Sequence, residues 1–264
     1  MSNDTPAFVF HQGSAPVLLS IPHMGTHIPP ALLTRMTPYA AQLADTDWHL
    51  DQLYDFAREL NLSIIMATHS RYVVDLNRSP DDVSLYPGQN VTGLCPVDTF
   101  EEQPLYTKGQ APNAQEVAQR VADYWQPYHD QIQGELQRLH SVHGKVTLWD
   151  AHSIRSQVPR FFKGQLPDFN LGTVNGASCQ PELAQQLLAV STSAPGYTAV
   201  LNGRFKGGYI TRRYGDPAQG INAIQLELSQ RTYMEESLPF NYSPDLALQV
   251  QPYLRRLLEV VVEY

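Results

Sequence analysis

Short apolar runs alternate along this chain with stretches whose apolar residues recur at helical spacing. A continuous apolar run of four to eight residues is typical of a buried strand. The runs that predict strands are residues 17–21, 63–67, 71–76, 145–149, 197–201 and 223–228, and residues 8–10 predict a strand pairing at a sheet edge. Residues 203–214, rich in Gly, Arg and Tyr, predict a further strand or hairpin.

Helical spacing accounts for most of the remaining chain. The predicted helices are residues 39–60 with a break near 45–47, residues 113–143 capped by Asn113 and kinked at Pro127, residues 181–191, and residues 243–262 capped by Ser243. Strands that alternate with helices predict a mostly parallel sheet covered on both faces. No linker interrupts the pattern, so we expect one domain over residues 1–264. Residues 79–112, rich in Pro, Gly, Asp and Asn, predict a long functional loop or lid.

Composition narrows the class of protein. The formal net charge is −8 and there is no basic tract, which argues against a nucleic-acid partner. No apolar run approaches the length of a membrane span, and the first residues do not resemble a secretory signal. The two cysteines, Cys95 and Cys179, form no CxxC pair, so we expect reduced thiols in a cytoplasmic protein.

Polar residues that could carry chemistry stand at the ends of predicted strands. His23 follows the first confident strand, where Pro22 cannot donate a ladder hydrogen bond, and His152 follows another. Glu227 lies inside an apolar run, where a charge is costly unless it is paired or coordinated. Residues 45–51 add several carboxylates and a histidine. Two histidines and one carboxylate make an open zinc site, and a further carboxylate can act as general base.

The same residues also have structural interpretations. Glu227 could pair with Arg231, and each histidine could be a core or surface residue satisfied by hydrogen bonds. Two groups of arginines, one around Arg71 and Arg78 and one over residues 204–213, could form carboxylate-binding pockets or pair with nearby acids. Motifs for a serine hydrolase, a phosphate loop, a dinucleotide-binding turn and an HExxH zinc helix are absent.

Five segments taken together resemble the N-formylglutamate amidohydrolase family. They are SIPHMGTHIP, DTDWHLDQLY, SRYVVDLNRSP, LWDAHS and IQLELSQRTYM, in this order, and the resemblance runs from about Val17 to Tyr233. The resemblance implies a three-layer α/β/α hydrolase similar to zinc carboxypeptidases, with one zinc or similar divalent ion. It implies His23, Asp47 and His152 as metal ligands, with Asp45 as an alternative to Asp47. It implies Glu227 as general base, and the substrate-facing residues would be Arg71, Asn77, Arg78 and Arg212.

The activity that the resemblance implies is hydrolysis of N-formyl-L-glutamate to formate and L-glutamate, a step of histidine degradation. The expected partner is therefore a small N-formyl amino acid, and the number of subunits stays open. The alternative within enzymes is a related zinc amidohydrolase acting on another N-formyl, N-acyl or N-carbamoyl amino acid. A metal-binding or amino-acid-binding protein without catalysis is disfavoured by Glu227, because binding alone requires no base.

Overall fold

A seven-stranded mixed sheet organises the computed structural model, which describes residues 5–83 and 91–264. The strands are β1 Phe8–His11, β2 Val17–Ile21, β3 Ser63–Ala67, β4 Val146–Ile154, β5 Phe169–Gly172, β6 Ala199–Leu201 and β7 Ile221–Ser229. Their order across the sheet is β1-β3-β2-β4-β7-β5-β6. The β3-β2, β2-β4, β4-β7 and β5-β6 pairs are parallel, whereas β1 and β5 run antiparallel to β3 and β7.

Helices cover both faces of this sheet. They are α1 Pro30–Leu33, α2 Pro38–Ala41, α3 Leu50–Leu53, α4 Ala114–Arg120, α5 Gln126–His143, α6 Pro181–Ser193, α7 Tyr209–Tyr214 and α8 Pro244–Glu263, with 3₁₀ turns at Asp55–Arg58, Val174–Gly176, Pro217–Gln219 and Gln230–Thr232. One apolar core lies between the sheet and α3, α6 and α8, and a second lies between the sheet and α5 and α7. The predicted α/β fold with a mostly parallel mixed sheet between helical layers is confirmed.

The alternation of side chains along the central strands places several polar residues on one face of the sheet. On the face covered by α5, the amino-terminal halves of the strands carry apolar residues such as Leu18, Leu148 and Ala223. Further along β4 and β7 this face carries the buried polar residues Asp150, His152, Gln225 and Glu227. Because successive side chains in a strand alternate between faces, these four point to the same side of the sheet. The carboxyl edge of this face is therefore polar and buried.

Two predicted strands are wrong. Residues 71–76 form a buried chain of turns, because their carbonyl groups accept hydrogen bonds from side chains of a neighbouring helix rather than from a strand. Residues 209–214 are the helix α7, which begins directly after Gly208. A Cβ at Gly208 would lie 2.3 Å from Nδ2 of Asn77, so this glycine leaves room for the Asn77 side chain against the backbone.

The long helix predicted from Asn113 is present, with Asn113 accepting a 2.9 Å hydrogen bond from the Glu116 amide. Just before Pro127, where the sequence predicts a kink, the structure has a π-turn, Val121–Trp125, between α4 and α5. Pro127 has no N–H to donate to the carbonyl four residues earlier, and a π-turn widens the helix at that point. The predicted break near residues 45–47 is also present, because short helices flank these residues.

Both cysteines are free thiols, as expected. Of the predicted loop 79–112, residues 84–90 lie outside the described residues. None of the helices in the described part of the chain combines the length and the apolar character needed to cross a membrane.

Candidate metal centre and active site

Three side chains from distant segments converge at the carboxyl edge of the sheet. His23, Asp47 and His152 each place a ligand atom within 4.8 Å of the others, and all three residues are buried. Nδ1 of His23 lies 3.1 Å from Nδ1 of His152, and Oδ2 of Asp47 lies 3.2 Å from Nδ1 of His152 and 3.7 Å from Nδ1 of His23. Two imidazole nitrogens and one carboxylate are the donor set of an open catalytic zinc site.

Local sequence accounts for this convergence. Strand β2 ends at Ile21 before Pro22, so His23 leaves the sheet at its carboxyl edge. The backbone amide of Asp47 donates a 3.0 Å hydrogen bond to the carbonyl of His23, which holds the two ligand segments side by side. His152 lies within β4 rather than after it, since this strand continues to Ile154. The backbone amide of Ser153 also donates to Oδ2 of Asp47, at 3.2 Å.

Two further carboxylates determine which nitrogen of each imidazole faces the centre. Nε2 of His23 donates to Oδ1 of Asp75 at 2.7 Å, and Nε2 of His152 donates to Oδ2 of Asp150 at 2.9 Å. In the neutral ring, a proton held on Nε2 leaves the Nδ1 lone pair available, and the two Nδ1 atoms face each other and Asp47. Carboxylates that orient metal-bound histidines in this way are a general feature of zinc sites. The residues present therefore fit a divalent cation.

The electrostatics of the cluster favour positive charge at its centre. Burial alone would raise the pKa of Asp47, but the Arg71 guanidinium and the hydrogen bonds with His152 and His23 hold that pKa well below its ordinary range. Burial disfavours a charged imidazole at His152, yet Asp150 and Asp47 on its two nitrogens raise its pKa well above the ordinary value. Arg71 completes the arrangement, because its Nη2 contacts Nδ1 of His23 and lies 3.5 Å from Oδ1 of Asp47.

Asp45, the alternative acidic ligand, has a different environment. Its Oδ2 accepts hydrogen bonds from the Tyr72 hydroxyl at 2.8 Å and from the Phe100 amide at 2.9 Å. Burial raises the pKa of Asp45, which is the opposite of the shift at Asp47. Asp45 thus ties the loop at residue 100 to the segment at residue 72, and Asp47 is the carboxylate that faces the histidines.

Glu227 lies beside His152 on the neighbouring strand. The two residues are register partners in the parallel pairing of β4 and β7, and both line the same cavity. Burial raises the pKa of Glu227 to about 8, although the positive charge of His152 opposes the shift. Its Oε2 accepts a hydrogen bond from Nε2 of Gln225 at 3.3 Å. The alternative pairing with Arg231 is wrong, because Arg231 forms an ion pair with Asp168 at 2.6 Å.

A cavity opens above the cluster and contains most of the expected substrate-facing residues. Its lining includes Arg71, Asn77 and Arg78, in addition to His23, His152 and Glu227. Arg212 is not part of this lining, and Arg204 from the same Gly-rich segment is. Nε of Arg204 donates to the carbonyl of Phe161 at 2.7 Å, and its guanidinium packs over the ring of Phe205. Phe100, Phe161 and Phe205 form the apolar part of the lining.

Asn77 is fixed by the backbone around it. Its Oδ1 accepts a 2.8 Å hydrogen bond from the amide of Ile210, its backbone amide donates to Oδ1 of Asp75, and its Nδ2 lies 3.0 Å from Nε2 of His152.

His27, which stands four residues after His23, is not part of the metal cluster. Its backbone pairs with His69, and their rings contact each other edge to face.

The sequence analysis did not predict that Asp75 binds His23, that Gln225 binds Glu227, or that Arg204 lines the cavity. Asp75 interrupts the apolar run YVVDL, which is the same signal that singled out Glu227 in IQLEL. Asp150 and His152, like Gln225 and Glu227, are spaced by two residues, and this spacing places each pair on one face of its strand. No comparable signal separates Arg204 from Arg212.

Fold and site together define an α/β enzyme with a candidate metal centre at the carboxyl edge of its sheet, the edge at which open α/β sheets bind their ligands. The family model for N-formylglutamate amidohydrolase matches residues 15–234. This chain belongs to that family, and it is an amidohydrolase.

Similar proteins agree with the assignment. The chain is 52% identical over 255 residues to N-formylglutamate deformylase of Pseudomonas putida, with 97% of this chain and 95% of that protein covered. It is also 52% identical to N-formylglutamate deformylase of Pseudomonas aeruginosa, covering 97% and 96%. The crystal structure of N-formylglutamate amidohydrolase from Ralstonia eutropha JMP134 has a TM-score of 0.83 at 25% identity, with 98% of both chains covered. The fold is shared with Atu2144 of Agrobacterium tumefaciens at a TM-score of 0.72 and 15% identity, covering 98% and 96%.

Proposed function

We propose that this enzyme hydrolyses N-formyl-L-glutamate to formate and L-glutamate, with a divalent cation held by His23, Asp47 and His152. Zinc is the cation that this donor set suits best. The observation that carries the proposal is that His23, His152 and Glu227 line one cavity with three arginines, while Asp47 offers a ligand atom within 4.8 Å of both histidines. The near full-length similarity to two N-formylglutamate deformylases supports the substrate.

When bound, the cation would supply Lewis-acid chemistry, polarising the formyl carbonyl and acidifying a water molecule. Glu227 has the role of general base that removes a proton from the attacking water. Its pKa, raised by burial to about 8, lies close to neutral pH, where one carboxyl group can both accept a proton and return it. The bond between the formyl carbon and the nitrogen breaks as Glu227 delivers that proton to the amine of the leaving glutamate.

The arginines that line the cavity can bind a substrate with two negative charges. N-formylglutamate carries two carboxylates, and a guanidinium binds a carboxylate through two parallel hydrogen bonds. We assign this binding to Arg71, Arg78 and Arg204, with Asn77 as a neutral donor beside them, and Arg204 replaces Arg212 in the assignment. Arg71 contacts the metal cluster, so it is also placed to stabilise negative charge that develops on the formyl oxygen.

We further propose that residues 1–264 act as one catalytic domain. The two cores on either face of one sheet support this proposal. The two free thiols support a cytoplasmic location, since reduced cysteines are characteristic of that compartment.

Formate release from N-formyl-L-glutamate tests the function directly. We expect activity that a chelator abolishes and zinc restores, and we expect Arg204→Ala to raise KM more than it lowers kcat. N-formyl-L-aspartate, N-acetyl-L-glutamate and N-carbamoyl-L-glutamate should be poorer substrates at equal concentration. Faster turnover of any of these three would transfer the assignment to a related amidohydrolase, and turnover that survives complete metal removal would overturn the metal-dependent mechanism.

A further inference from the structure

The long helix of α4, the π-turn and α5 lies against the segment of residues 72–78, which carries Asp75, Asn77 and Arg78 into the cavity. Three helix side chains each donate a hydrogen bond to a different carbonyl of this segment. Nη1 of Arg120 binds the carbonyl of Val73 at 2.9 Å. Nε1 of Trp125 binds that of Arg78 at 3.0 Å, and Nε2 of His129 binds that of Leu76 at 2.8 Å.

The π-turn explains how these three residues share one face of the helix. Arg120 and Trp125 are five residues apart, and Trp125 and His129 are four residues apart. In a regular α-helix only residues three or four apart lie on the same face. A π-turn closes its hydrogen bonds between residues five apart, so Val121–Trp125 restores the alignment of Arg120 with Trp125. Single π-turns are frequent at functional sites, where a side chain must be redirected.

His129 has the properties of a fixed hydrogen-bond donor. It is 3% exposed, and its ring stacks on Trp125 with 3.7 Å between ring centres. Its Nε2 lies 2.8 Å from the carbonyl of Leu76, which can only accept, so the proton of the neutral ring resides on Nε2. Its Nδ1 lies 2.9 Å from the Tyr214 hydroxyl. Burial lowers the pKa of His129 to about 4, which keeps the ring neutral at physiological pH.

We propose that His129 and Trp125 are positioning residues for the amidohydrolase reaction, acting through the backbone of residues 75–78. His129 fixes the carbonyl of Leu76 and thereby the adjacent Asp75, which orients His23 through Nε2. Trp125 fixes the carbonyl of Arg78, whose side chain lines the cavity. This proposal rests on the proposed function for its kinetic part, and on the candidate metal centre for its binding part.

Few other backbone hydrogen bonds hold residues 72–78, so the three bonds from the long helix contribute much to the conformation of this segment. The amide of Asp75 donates to the carbonyl of Leu94 at 2.7 Å, and the amide of Tyr209 donates to that of Asn77 at 3.3 Å. The backbone of the segment is thus hydrogen-bonded to the loop at residue 94, to helix α7 and to the long helix. It has no continuous strand pairing that could maintain its shape if the contacts from the long helix were lost.

The test compares His129→Phe with His140→Phe in the full-length protein. Phenylalanine keeps the aromatic stack at position 129 and removes the donor. His140 lies on the same helix and donates a comparable bond, of 2.9 Å, to the carbonyl of Gln219, far from the cavity. We expect His129→Phe to weaken zinc binding in competition with a chromophoric chelator, by less than the about 10-fold to 100-fold known for groups that bind a metal ligand directly. We expect His140→Phe to leave zinc affinity, KM and kcat unchanged.

Two more variants separate positioning from general loss of structure. His129→Gln restores a donor near the place of Nε2 and should recover most of the zinc affinity. Trp125→Phe removes the bond to Arg78 and keeps an aromatic ring against His129. It should therefore raise the KM for N-formyl-L-glutamate several-fold and change zinc affinity much less. If His129→Phe does not fold, His129→Gln and Trp125→Phe still give these two different outcomes.

Wild-type zinc affinity in a folded His129→Phe protein, or equal effects of Trp125→Phe on zinc affinity and on KM, would overturn the positioning role. These results are distinct from failure of the proposed function. In that case the wild-type protein would release no formate from N-formyl-L-glutamate, while the order of zinc affinities among the variants would remain informative.

Discussion

Replacing Glu227 with glutamine should abolish turnover and, at the same time, stabilise the metal-free protein. Glutamine has the same shape as glutamate and can still accept the hydrogen bond from Gln225. It cannot accept a proton from water, so turnover should fall by about two to four orders of magnitude, the usual contribution of a general base. The stabilising effect arises because a buried carboxyl group that tends to ionise opposes folding.

The magnitude follows from the difference in pKa between the two states. Burial raises the pKa of Glu227 from 4.5 to about 8 in the folded chain. Between these values the folded state binds more protons than the unfolded state, so the stability of the wild-type protein falls as the pH rises. At about 1.4 kcal/mol per pKa unit, the cost of Glu227 is about 3 kcal/mol at pH 7 and less than about 1 kcal/mol at pH 5. Glu227→Gln removes this cost.

Urea unfolding of the chelator-treated protein at pH 5 and at pH 7 measures the effect. The metal must be removed, because a bound cation favours the ionised form of Glu227. The matched control is Glu135→Gln, since Glu135 is also buried but is paired with Arg138 outside the cavity. This control should lose stability and keep its turnover. Equal stability of Glu227→Gln and wild type at both pH values would refute the reasoning, and so would normal turnover by the zinc-loaded variant.

Three other substitutions give further checks. Asp75→Asn should weaken zinc binding about 10-fold to 100-fold, because it removes the carboxylate that holds Nε2 of His23. Competition with a chelator measures the affinity, and an unchanged value would show that Asp75 does not support the metal centre. Gly208→Ala should raise KM and lower the melting temperature, because the new Cβ would lie 2.3 Å from Nδ2 of Asn77; wild-type values in kinetics and calorimetry would contradict that close contact. Acidification from pH 7 to pH 5 should cost about 2 kcal/mol through His129, because its pKa is lowered to about 4 and the unfolded chain takes up the proton within this window. The urea-unfolding free energy of His129→Phe should therefore depend less on pH than that of wild type, and parallel profiles would refute this assignment.

Sequence patterns succeeded where a local rule decides the structure. Pro22 ends a buried strand, so the position of His23 at a sheet edge could be predicted. Asn113 begins the long helix, because its side chain satisfies an amide of the first turn. Residues 71–76 show where such rules fail. Their apolar pattern fits a strand, yet Arg71 and Asp75 face the centre and the carbonyls bind a distant helix.

Local patterns in the amino-acid sequence were enough to predict the alternation of strands and helices, the family, and the residue types available for chemistry. The folded chain was needed to show that Asp47, and not Asp45, faces the histidines, and that Arg204, and not Arg212, lines the cavity. It was also needed to show that the Nδ1 atoms of the histidines face the centre while their Nε2 atoms bind Asp75 and Asp150. The physical reason is the range of the interactions. Strand and helix formation depends on neighbouring residues, whereas the environment of a carboxylate or an imidazole depends on groups that only the packed sheet brings within hydrogen-bonding distance.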